Sequence, residues 1–125
     1  MNLMTYPVAG NVADTVSRLV TLIEEAGAEV FMVIDHAAAA RKAGLQMPDT
    51  QVIVFGNPAA GTPLMLASPD LAIDLPLRIL VRQEPDGHTS VLHHDPAVLA
   101  ADYGLPTALV GPLQVPARLA GRITS

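Results

Sequence analysis

The chain has 125 residues, half of them hydrophobic and 15% charged, which sets it as one globular domain and excludes a disordered segment. A net charge of −5, with two Phe, two Tyr and no Trp, excludes the basic face and the stacking platforms that nucleic-acid binding uses. The absence of cysteine excludes disulfides and thiolate metal sites.

Met1–Val8 reads as the first strand. NVADTVSRLVTLIEEAG then places Val12, Val16, Leu19, Val20 and Ile23 at helical spacing, with Arg18, Glu24 and Glu25 off that stripe. Asn11 supplies an N-cap, Asp14 favours the positive end of the helix dipole, and Gly27 closes the helix. In EVFMVIDH, five consecutive apolar residues, Val30 to Ile34, predict a buried central strand. Asp35 then caps a short helix, HAAAARKA, that stops at Gly44. The strand QVIVF follows Met47-Pro48.

The stretch FGNPAAGTPLM comes next and has the outline of a phosphate-binding loop. It lacks the lysine that reaches the outer phosphates, and Pro63 removes a backbone donor where the cradle should continue. A structural corner fits better: Asn57-Pro58 turns off the strand, and Thr62-Pro63 starts a helix as cap and first residue. Between Val52 and Ala67 the nearly uncharged run is broken by Gly56, Asn57 and prolines, so it does not form a regular membrane-crossing helix. Met1–Gly10 carries no leader pattern, and a cytoplasmic location is the expectation.

LPLRILVRQ alternates, with Leu77, Ile79 and Val81 on one face and Arg78, Leu80 and Arg82 on the other. Glu84 to Gly87 carries turn chemistry and HTSVLHH returns as the hairpin partner. Asp95-Pro96 opens a helix that ends near Gly104. In the proline-rich segment 105–125 only a short helix around Ala117–Arg122 is expected. The order predicts a single α+β domain over 1–125, with its core at about 3–104. It has a mainly antiparallel sheet of about five strands and helices packed on one face.

Three stretches are more specific together than apart: FMVIDHAAAARKAGL (31–45), TQVIVFGNPAAGTPLM (50–65) and IDLPLRILV (73–81). In this order and spacing the chain resembles the bacterial and archaeal family called domain of unknown function 302. The resemblance runs from the first helix to about Gly104. It implies a TATA-binding-protein-like α+β fold and assembly as a homodimer, and it implies no established reaction.

Asp35, His36, Asn57, Asp74 and Arg78 match the family's motif positions. All but Arg78 lie at or beside predicted strand ends, which makes the five the candidate ligand-binding residues. His36, Asn57 and Arg78 are expected to form a small polar pocket, since histidine exchanges protons near neutrality and arginine clamps an anion. The bland alternative gives each residue local work as a cap, a turn or a surface ion pair, and it is weighted about two to one over chemistry because caps routinely claim these residue types. His93 and His94 point to opposite strand faces, and His88 lies too far along to join either, so no metal and no cofactor is expected. There is no cysteine nucleophile and no G-x-S-x-G elbow. The leading expectation is a non-enzymatic homodimer that binds a small anionic ligand or a partner protein, without nucleic acid or membrane. The alternative is a small enzyme with His36 as general acid or base and Arg78 holding an anionic substrate.

Overall fold

In the computed structural model, which describes residues 2–124, Leu3–Val8 forms strand β1 and Val12–Glu25 forms helix α1. Glu29–Asp35 (β2), His36–Lys42 (α2), Thr50–Gly56 (β3) and Pro58–Ala67 (α3) follow. A 3-10 turn at Pro69–Ile73 leads to the hairpin of Leu77–Gln83 (β4) and Thr89–His94 (β5). Pro96–Asp102 (α4) and Val115–Thr124 (α5) complete the chain, separated by two short 3-10 turns. The strands form one antiparallel sheet in the order β1-β5-β4-β3-β2.

Helices α1 and α5 cover one face of that sheet. The opposite face is bare of both helices, although Ser90 and Leu92 on it are buried. Leu19 and Ile23 of α1, with Leu119, Ala120 and Ile123 of α5, pack on Ile53, Phe55, Ile79, Val81 and Val91 of the inner strands. The period of α1 is the one its sequence dictates, and its ends follow local chemistry. The Asp14 amide donates to Asn11 Oδ1 at 2.8 Å, and Gly27 follows the helix with a φ of +83° that favours glycine. The alternation of β4 sends Ile79 and Val81 into the core and leaves Arg78 exposed and Leu80 half-buried on the bare face.

Three local expectations are corrected. First, β2 is an edge strand, not a central one, and Phe31 to Ile34 are 36–52% exposed. An unbroken apolar run suggests burial on both faces, whereas here Val30 packs on the main core and the rest of the run stays partly exposed. The pairing with β3 also slips between Val30 and Met32, a bulge that commonly marks an edge. Second, the helix after β3 begins at Pro58, not Thr62: Asn57 Oδ1 accepts the Ala59 amide at 3.0 Å. Pro63 sits inside this helix, and Thr62 Oγ1 donates to the Pro58 carbonyl at 2.6 Å just before it. Third, the final helix runs over ten residues, and its apolar side enters the main core.

Candidate functional site

Asp35 and His36 stand where β2 ends, beside Thr50 and Gln51 at the start of β3. Asn57 follows the last residue of β3, where β2 begins and β4 starts. In an antiparallel sheet the C-terminal ends of adjacent strands lie at opposite edges, a strand length of roughly 20 Å apart. His36 and Asn57 therefore do not share a concavity. Arg78 lies near the Asn57 end, but its alternation turns it away from the face that α1 and α5 cover.

Local partners account for several of these side chains. Asp35 caps α2 by accepting the Ala38 amide at 2.9 Å, and His36 is exposed at the first position of that helix. Asn57 caps α3. Asp74 accepts a hydrogen bond from the Tyr103 hydroxyl, and this bond, ahead of burial and the carboxylate charge, pushes the Tyr103 pKa up to about 12. Asp74 and Arg78 line a small cavity with His94 and Leu99.

The Asp74–Tyr103 pair has a testable signature. The folded state holds the phenol proton more tightly than the unfolded chain. Its contribution to stability is therefore complete below the unfolded value near 10 and is lost as pH rises through about 12. Alkaline titration of tyrosinate absorbance is expected to show Tyr103 ionising late. Asp74→Asn should bring that step back toward the ordinary range; an unchanged titration would contradict the pairing.

At the Asn57 end lies a cleft of about 630 Å³, a size suited to small molecules. Two of the stretches quoted from the sequence meet there: Gly56-Asn57-Pro58 forms one side, and Leu75-Pro76-Leu77, with a cis bond between Leu75 and Pro76, forms another. The Phe31 ring lies 3.5 Å from where a Cβ on Gly56 would stand, an ordinary van der Waals separation, and both residues line the cleft. Leu64 and Met65 of α3 and Val115 and Leu119 of α5 extend the apolar wall. Arg118 and Arg122 are the charged lining residues.

Among the expected site residues, Asn57 alone lines this cleft. The two arginines escaped the sequence reading because the proline-rich tail was set apart from the core. The signal was present: Leu119 and Ile123 repeat at helical spacing, and Arg118 and Arg122 repeat one position earlier.

The β4–β5 turn holds a second polar arrangement that the sequence reading did not assemble. His88 Nδ1 contacts Asp86 Oδ1, and His88 Nε2 lies 3.2 Å from Ser90 Oγ, the connectivity of a nucleophilic triad. The His88 amide, then its ring, hold the Asp86 carboxyl below the usual range. Ser90, however, is 1% exposed and neither described cavity reaches it, so its hydroxyl has no access to a substrate. His93 is likewise buried and internally satisfied: Nδ1 donates to the His94 carbonyl at 2.8 Å, and the ring stacks on Tyr6. Among the described residues no cluster of three metal-ligating side chains occurs.

The sequence profile of the family described as domain of unknown function DUF302 matches residues 4–123. The chain belongs to the DUF302 family. A solved crystal structure of an uncharacterised conserved DUF302 protein from Bacillus stearothermophilus superposes with a TM-score of 0.82. It is 21% identical and covers 98% of this chain and 96% of its own, a likeness of fold. Regions 38% identical over 103 residues occur in proteins named fluoride-specific ion channel FluC 1 from Brucella suis and Brucella abortus. The match covers 82% of this DUF302 chain but 41% and 38% of those relatives, so the chain spans about two-fifths of their length. Among the described residues of this DUF302 domain, no helix is long and apolar enough to cross a membrane.

Proposed function

We propose that this DUF302 domain is a non-enzymatic, homodimeric module that binds a small molecule in the cleft beside Asn57. The observation that carries the reading is the cleft itself: about 630 Å³, walled by apolar side chains, with polar groups only at a few places. Asn57 is proposed to act there through its position at the α3 start. The hydroxyl of Thr62 in the lining donates to the Pro58 carbonyl, no His, Asp or Glu among the described residues lines the cleft, and His36 stands at the other end of the sheet. The reading is therefore binding, not turnover.

Pairing of two copies rests on a separate observation. The edge strand β2 leaves Phe31 to Ile34 36–52% exposed, and Met32 and Ile34, opposite Val54 and Val52, continue the sheet face that carries Leu80. An unpaired apolar edge of this kind is a template for another strand, and the same patch on a second copy satisfies it through a two-fold axis. Fluoride conduction forms no part of the proposal, because it would come only from the names of relatives of which this chain spans about two-fifths.

Native mass spectrometry of the protein as purified tests both parts. A species at twice the 13.1 kDa chain mass, carrying an added small-molecule mass, is expected. Ala60→Trp, which fills the cleft, should keep the dimer and lose the adduct. A monomer at micromolar concentration would remove the pairing, and the same added mass in both proteins, or in neither, would remove the ligand.

A further inference from the structure

The charges lining the cleft run against the charge of the chain. The sequence holds twelve acidic and seven basic residues, yet among the described residues the cleft lining takes two arginines and no aspartate or glutamate. Arg118 and Arg122 lie four positions apart on α5, so both guanidinium groups rise from one helix face. Arg118 Nη2 makes one long contact, 3.4 Å, to the Gly111 carbonyl. The remaining walls are hydrocarbon, chiefly Phe31, Leu64, Met65, Leu75 and Leu77.

From this juxtaposition we infer that the ligand is an amphipathic anion, with an apolar body lying on the hydrocarbon walls and a carboxylate or phosphate head held by Arg118 and Arg122. The inference rests on the ligand-binding reading and adds the chemical class. An arginine pair selects an oxyanion because planar guanidinium groups match its geometry in a bidentate manner, and a cationic head is repelled by the same pair. A purely polar anion leaves the apolar walls wet, while a neutral apolar molecule forgoes the charge-assisted hydrogen bonds. The amphipathic anion makes favourable contacts with both the hydrocarbon walls and the guanidinium groups at once.

Calorimetric titration with four compounds sharing one ten-carbon chain separates these possibilities: decanoate, decyl phosphate, decanol and decylammonium. Decanoate or decyl phosphate is expected to bind at least about tenfold more tightly than decanol, the order of a charge-assisted hydrogen bond. Which of the two binds tells a carboxylate from a phosphate source. The advantage of the anions over decanol should disappear in the Arg118→Gln, Arg122→Gln double variant. Rising salt should weaken the anions alone in the unaltered protein, a check that does not depend on the variant folding. Equal binding of decanol, decylammonium and the two anions would overturn the inference about the head while leaving the cleft a ligand site. Binding that persists undiminished in Ala60→Trp would overturn the site itself, and binding by none of the four would overturn the proposed class.

Discussion

A chain ending at Gly104 is expected to lose cooperative thermal unfolding. The deleted segment contains Leu113, Leu119, Ala120 and Ile123, all buried, the last three in the main core over the sheet. Burying the three larger side chains contributes roughly 1.5–3 kcal/mol each, about 5–9 kcal/mol together. That is on the scale of a domain's whole stability of about 5–15 kcal/mol. The deletion also removes the entropy cost of ordering the segment, which offsets part of the loss. It leaves uncovered, however, part of the apolar sheet face that carries Ile53, Ile79 and Val91, and it opens the α5 wall of the cleft. Calorimetry or circular dichroism against temperature makes the comparison. A sharp transition within a few degrees of the full chain would show that α5 is dispensable to the fold.

Phe55→Ala is expected to give the largest loss among single substitutions. Phe55 is fully buried and heads the set of large enclosed side chains. It sits near the end of β3, pairs with Val30 on one side and Leu77 on the other, and forms part of the cleft wall. Truncating a buried phenylalanine costs about 3–5 kcal/mol, because the transfer energy of the ring is joined by the cavity it leaves. For a domain of this length the melting midpoint should fall by roughly 10–20 °C. The flanking strands are held by backbone pairing, so the site cannot collapse fully around alanine. A fall of only a degree or two would mean that the β3 end is repacked or already loose.

The two cases show why core and site differ in how far they can be read along the chain. Helix α1 announces its buried stripe through spacing, and Asn11 and Gly27 mark its ends through local hydrogen bonding and a positive φ. The β4–β5 hairpin is legible for the same reason: alternation and a turn act over a few residues. The cap at Asp35 is legible too, since it bonds to an amide only three residues away, whereas at Asn57 the turn was legible but the cap was expected five residues later, at Thr62.

The cleft is not of that kind. Its walls come from β2, the α3 start, the Leu75–Leu77 segment and α5, separated by tens of residues and joined only by sheet order. The sequence suggested that polar residues at strand ends converge. Antiparallel pairing instead sends successive C-terminal ends to opposite edges, carrying His36 away from Asn57 and bringing Leu75-Pro76 close. The apolar run of β2 likewise names a strand but not its place in the sheet, because hydrophobicity records that a surface is to be covered without recording by what.

By itself the sequence determined the five strands, the first helix with its ends, the β4–β5 hairpin, the α+β class and the family, all consequences of interactions within a few residues or of a pattern along the whole chain. Tertiary structure alone decided which strand lies at the edge, which face of the sheet stays bare, and that two arginines of the last helix join the Gly56-Asn57 corner. Those are matters of strand order and packing between distant segments, where the energy depends on partners that no local spacing encodes.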